Sequence, residues 1–286
     1  EGREIPLSRH IALGAIWWDP ELPPMHMTPT LPLHWTATGA LPVAVLRSAW
    51  GDPNATYLAI KGGTPNQSHG HMDVGSFVFE AGGVRWALDL GTESYDKMRA
   101  AKLDLWNYSQ TSSRWSTFRV GPEGHNLPRF DGALQDITGK AEISPLPDMD
   151  GIIGDTLDLT PLYRGQVKRV QRTVRMRPDH SVSLTDEWTT GDRPVRYSWQ
   201  WLTTATVTRT EDGVLLQQAG RSLNLRVTSP AVFTVETEDV SQPRGIQDSP
   251  NSNLRRLVIR LETAARSHGK IEVECTLGGS RQGRSK

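Results

Sequence analysis

Residues 76–90, S-F-V-F-E-A-G-G-V-R-W-A-L-D-L, decide the fold class. Ser76 to Glu80 and Val84 to Leu90 are short, aromatic or β-branched, and largely alternate apolar with polar positions, as half-buried strands do. Between them Ala81-Gly82-Gly83 reads as a three-residue hairpin connection in which glycine is free to take positive φ. If Glu80 faces Val84, then Gly75 faces Asp89, and whatever precedes the first strand sits at the Asp89 end.

Working outward, the same signal recurs along the chain. P-V-A-V-L-R-S-A-W, T-Y-L-A-I-K, V-K-R-V-Q-R-T-V-R-M, S-V-S-L-T-D-E-W, R-Y-S-W-Q-W-L, V-L-L-Q-Q, L-N-L-R-V, V-F-T-V-E, L-V-I-R-L and I-E-V-E-C are strand-like runs separated by turn residues. The expectation is an all-β chain, a large antiparallel β-sandwich over residues 43–286. Helical period is scarce, with Y-D-K-M-R-A-A-K-L-D-L-W at 95–106 good for one to three turns. Residues 1–42 hold Pro6, Pro20, Pro23, Pro24, Pro29, Pro32 and Pro42, which forbids long helices and reads as a connector. The apolar pair Trp17-Trp18 within it packs either on a missing partner or on the domain's own surface. The opening Glu1-Gly2-Arg3 suggests a processed product or a piece of a longer polypeptide.

Composition narrows the function classes. The 286 residues carry 32 basic and 32 acidic side chains, so no global field draws in nucleic acid or an anionic membrane. No apolar run reaches the roughly 20 residues of a membrane-spanning helix. The lone Cys275 excludes an internal disulfide framework and a cysteine-rich zinc module. The strand at 167–176 alternates Lys168, Arg169, Arg172 and Arg175 with apolar residues and is expected to present a solvated sheet face rather than a polyanion groove. Trp199 and Trp201 share one strand face, as a core ladder or a sugar-stacking platform; the core is expected.

Just before the hairpin lies N-Q-S-H-G-H-M-D-V-G-S, residues 66–76, and further on comes G-P-E-G-H-N-L with His125. His71, Asp89 and His125 form a donor set suited to zinc with an open fourth position, although such residues are as readily hydrogen-bonded structural groups. S-H-G-H-M-D-V-G-S-F-V-F, G-V-R-W-A-L-D-L-G, S-R-W-S-T-F-R and H-N-L, in this order, resemble the heparinase II/III family of polysaccharide lyases, in its C-terminal β-sandwich domain. The resemblance is strongest over residues 66–132. It implies an N-terminal α/α toroid packed on the sandwich, a bacterial periplasmic or secreted protein, and an acidic polysaccharide in the cleft between the two domains. It also implies that His71, Asp89 and His125 bind a structural zinc and that His69 faces the cleft. Asp73 and Gly75 match as loop-shaping residues.

Such lyases cut uronate polymers by β-elimination, which needs a carboxylate-neutralising group, a base and an acid. His69 is the candidate base or carboxylate partner. Tyr95 and Tyr108 lie where the family carries cleft-lining side chains, or are simply buried tyrosines. Arg114 and Arg119 either contact sugar acids or pair internally. The family's main catalytic tyrosine belongs to the toroid, so this chain is expected to supply half a cleft and little activity alone. The competing expectation is a non-catalytic carbohydrate-binding or structural sandwich.

Overall fold

The computed structural model describes residues 31–278. Residues 1–30 of the proline-rich stretch, with Trp17 and Trp18, lie outside the described residues. The chain divides into residues 1–32 and 33–286, and the architecture below is that of the second unit. Its strands run β1 His34–Thr36, β2 Val43–Arg47, β3 Tyr57–Lys61, β4 Phe77–Ala81, β5 Val84–Ala87, β6 Pro128–Phe130, β7 Ile143–Pro145, β8 Ile153–Asp158, β9 Arg169–Met176, β10 Val182–Thr189, β11 Val195–Thr203, β12 Thr206–Arg209, β13 Gly213–Gln218, β14 Arg221–Thr228, β15 Phe233–Asp239, β16 Arg255–Thr263 and β17 His268–Leu277. They form three antiparallel sheets, ordered β1-β2-β3-β4-β5, β12-β13-β14-β17-β10-β9-β8-β7 and β15-β16-β11-β6.

The two smaller sheets adjoin where Leu88 N–H donates to Leu202 O at 3.0 Å and the Trp201 indole donates to Trp86 O at 2.8 Å. One hydrophobic core draws on all three sheets, with Leu46, Phe79 and Trp86 from the first, Val174, Leu184 and Val273 from the second, and Trp199, Trp201 and Ile259 from the third. This is the all-β sandwich expected. Trp199 and Trp201 are fully buried, with Trp201 edge-on to Phe77 and Phe79, so they are core and offer no sugar platform. The helix α1, Tyr95–Ala100, is shorter than the sequence window allows; Ser94 caps it, and Lys102 at φ 57° turns the chain away.

Three sequence expectations change. The hairpin turn is two residues long: Gly82 and Gly83 sit at φ 61° and 77°, a pairing whose twist matches the flanking strands, so Ala81 pairs with Val84 and Glu80 with Arg85. A register shift between Phe79 and Glu80 then sets Phe79 against Ala87. Within the stretch read as connector, β1 adds to the sheet edge and is pinned by His34 Nε2 and Thr36 Oγ1 on Asp155, at 2.8 and 2.7 Å. The basic strand is not a uniformly solvated face. In β9 Val170, Arg172, Val174 and Met176 are all buried, so Arg172 points into the core while Arg169 faces solvent.

Arg172 is held there by a fork on Asp186, Nε to Oδ1 and Nη2 to Oδ2, both at 2.7 Å, and Asp186 also accepts from the Tyr197 hydroxyl. Its Nη1 donates to Gly75 O at 2.6 Å and to Asn126 O at 2.9 Å. Gly75 ends the H-G-H loop and Asn126 follows His125, so one buried guanidinium fixes both approaches to the candidate site.

Candidate functional site

The site is assembled from the loop between β3 and β4 and from the long excursion between β5 and β6. The excursion has a small core of its own, in which Met98, Leu105, Trp115 and Val120 pack on Met72 of the loop. Asn126 stitches it to the sandwich: its Nδ2 donates to Phe77 O and Leu88 O, its Oδ1 accepts from Leu202 N–H, and its own N–H reaches Ser76 Oγ. With every polar group satisfied in the interior, Asn126 holds its neighbour His125 at the end of the hairpin, beside Asp89.

The loop is fastened along its length. Arg114 Nη2 donates to Gly70 O at 2.9 Å, Met72 N–H to Val120 O at 2.9 Å, and Lys61 Nζ to both oxygens of Asp73 at 2.6 Å. Gly70 lies so close to the chain that a Cβ there would stand 2.3 Å from Pro65 O, which accounts for glycine between the two histidines. His69 takes φ 61°, an uncommon conformation for a residue with a side chain.

The geometry at His69 brings together all three residues expected to be catalytic. His69 Nδ1 and the Tyr95 hydroxyl are 2.6 Å apart, and His69 N–H donates to the Tyr108 hydroxyl at 2.8 Å. The imidazole is exposed, while Tyr95 and Tyr108 are half-buried. Trp106, which sequence reasoning passed over as the end of a helix, stands edge-on to both His69 and Tyr95, with ring centroids 5.6 and 5.4 Å away.

The two arginines point elsewhere. Arg114 is buried against the Tyr108 ring, with Nη1 on Leu105 O at 2.7 Å, so it braces the site from inside. Arg119 ties the excursion to the loop before β16, donating to Asn251 Oδ1 at 3.0 and 2.8 Å and to Thr92 O and Pro250 O. Both turn their terminal guanidinium nitrogens onto the protein, and the Arg114 Nε is buried without a partner.

Behind the loop the His71 and His125 rings lie 5.5 Å apart, and His125 Nδ1 is 3.1 Å from Asp89 Oδ2. One donor atom each of His71, Asp73 and His125 falls within 4.8 Å of the others. The structure therefore places a second carboxylate, Asp73, at the imidazole pair, its charge offset by Lys61. Burial, with the adjacent His125, pushes His71 down to about 4, which keeps it in the neutral form that binds metals. Burial of Asp89 opposes its charge, but the His125 hydrogen bond and the Gly91 N–H hold it well below the usual carboxylate range. His125 Nε2 is a buried polar atom without a hydrogen-bond partner. Two imidazoles, one of them with an orphaned ring nitrogen, and a carboxylate fit a zinc-sized cation.

Comparison with known proteins identifies the domain. Residues 42–274 match the family model described as Heparinase II/III-like, C-terminal. The chain belongs to the heparinase II/III-like family. Among solved structures, a crystal structure of heparinase III superposes with TM-score 0.62 at 14% identity, covering 85% of this chain and 36% of that one. A heparan sulfate lyase HepC mutant from Pedobacter heparinus gives TM-score 0.67 at 18% identity, covering 88% and 37%. At such identities the likeness shows the fold, and the chain spans little more than a third of these heparinase-like structures. No curated protein sequence matches it. Among the described residues no helix is long and apolar enough to cross a membrane.

Proposed function

We propose that the chain is the β-sandwich portion of a polysaccharide lyase that opens uronic-acid-containing polysaccharides by β-elimination, contributing one wall of the cleft. The observation that carries this is the His69–Tyr95 contact of 2.6 Å on an exposed rim, with Tyr108 holding the His69 backbone. An imidazole and a phenol in contact, open to solvent on one side, are the groups that move a proton on and off a sugar ring at neutral pH.

In the elimination, a base takes the proton from the carbon bearing the carboxylate. The electron pair so released forms a C=C bond to the next carbon, whose bond to the glycosidic oxygen breaks, and that oxygen takes a proton. His69 serves as base or carboxylate partner. Tyr95 fixes the imidazole through Nδ1 and leaves Nε2 for the substrate, and Tyr108 holds the loop. His71 and His125, with Asp89 as the acid and Asp73 within 4.8 Å of both imidazoles, would hold zinc, which when bound would stiffen the loop and take no part in bond breaking. An N-terminal α/α toroid supplies the opposite wall, and the setting is a bacterial periplasm or exterior. With Trp199 and Trp201 in the core, a purely carbohydrate-binding sandwich built on them finds no support.

The test follows absorbance of the unsaturated uronate product. Protein carrying the toroid is expected to turn over at roughly 1–1000 per second, and His69→Ala to lower that about 100- to 10,000-fold. The isolated chain is expected to be nearly inactive. Full turnover by this chain alone, or an unaffected His69→Ala variant, defeats the proposal.

A further inference from the structure

Trp106 is the only large hydrophobic side chain left exposed between residues 62 and 127, at 55%. The other large apolar groups of the excursion are buried or half-buried, so this indole stands out as one left to solvent. Its neighbours are the polar groups already described: His69 and Tyr95 lie nearly parallel to each other, 12° apart, and both stand close to perpendicular to Trp106, at 90° and 79°. The three rings form a corner with an imidazole and a phenolic hydroxyl at its edge.

A protein-docking surface is a contiguous apolar patch of several hundred square ångströms. A lone indole bordered by hydrogen-bonding groups suits a ligand that is itself apolar on its face and polar on its rim. A pyranose ring has that form, with axial C–H bonds on one face and hydroxyls or a carboxylate around the edge.

We infer that Trp106 is a sugar-stacking platform, seating the pyranose next to the ring that reacts at His69. Stacking on Trp106 would fix that ring's plane, so the hydrogen bonds of His69 and the tyrosines meet the sugar at a set height. The inference rests on the lyase reading for the identity of the sugar and on the three-ring corner for the platform itself.

The experiment measures binding of the 286-residue chain to a defined tetrasaccharide of alternating glucuronate and N-acetylglucosamine, and separately to a neutral xylose tetrasaccharide, by calorimetry and tryptophan fluorescence. Trp106→Ala is expected to weaken uronate binding about tenfold, the scale of one aromatic contact with its buried area. Trp106→Phe should stay within about threefold of the parent, and both variants should melt with it. A Trp106→Ala chain that binds as tightly as the parent overturns the platform and leaves the lyase reading standing. Binding of the neutral sugar through Trp106 with no uronate binding upholds the platform and removes the lyase reading. A parent chain that binds neither sugar overturns the platform.

Discussion

Replacing Arg172 with methionine should destabilise the sandwich far more than a surface arginine would. Both Arg172 and Asp186 are essentially inaccessible to water, and their fork has two contacts of 2.7 Å. Without the guanidinium, Asp186 keeps the Tyr197 hydroxyl as its one remaining side-chain partner, and Gly75 O and Asn126 O each lose a donor. Breaking one side of such a pair costs about 3–5 kcal/mol, because an uncompensated charge stays in the interior. At about 2–4 °C per kcal/mol for a domain of this size, the melting temperature should fall by roughly 6–20 °C. Urea unfolding and calorimetry give the loss directly. The double variant Arg172→Met with Asp186→Leu removes both charges and should regain most of it, within about 2 kcal/mol of the parent. A single variant that melts within about 2 °C of the parent, or a double variant no better than the single, would refute the account of Arg172 as a buried, mutually compensated brace.

Two further outcomes bear on the site. Metal analysis after dialysis against zinc should give one ion per chain for the parent and much less for Asp89→Asn, with Asp73→Asn intermediate because Lys61 already engages that carboxylate; equal losses for both acids would show that Asp73 is itself a ligand. Gly70→Ala forces a Cβ against Pro65 O, so it should lower zinc occupancy and, in toroid-bearing protein, turnover by at least about tenfold, a loss of roughly 1.4 kcal/mol in transition-state binding. Unchanged metal content and rate in that variant would mean the loop has room the structure denies it.

The fold was legible wherever strands are long and alternate cleanly. Each of the twelve runs read from pattern coincides with a strand over more than half its length, although β2 stops before Ser48 and β5 before Leu88, whereas β1, β6, β7, β8 and β12 carry no such run. The reason is visible in their residues: β6 begins at Pro128, β7 ends at Pro145, β8 carries Gly154, β1 is three residues of a proline-rich stretch, and β12 has Val207 as its single apolar side chain. Arg172 was misplaced because a charge at a period-two position reads as surface, and its partner Asp186 stands on the next strand, directly opposite in register. At the site, His69, Tyr95 and Tyr108 come together as three residues named in advance, by family resemblance more than by spacing. Trp106, the Lys61–Asp73 contact and the inward turn of Arg114 depend on where α1 stops and how the excursion folds back, which no local pattern records.

The brace on Gly75 and Asn126 also governs how this rim moves. A cleft wall built on a free loop would open and close while the rest of the domain stayed intact. Here the same guanidinium is shared between the interior of the largest sheet and the backbone that follows each of the two histidine segments, so the amides next to it should exchange with solvent only when the whole sandwich unfolds. Under the lyase function proposed above, any closing of the cleft around a polymer would then come from the body opposite, with this wall serving as the anvil.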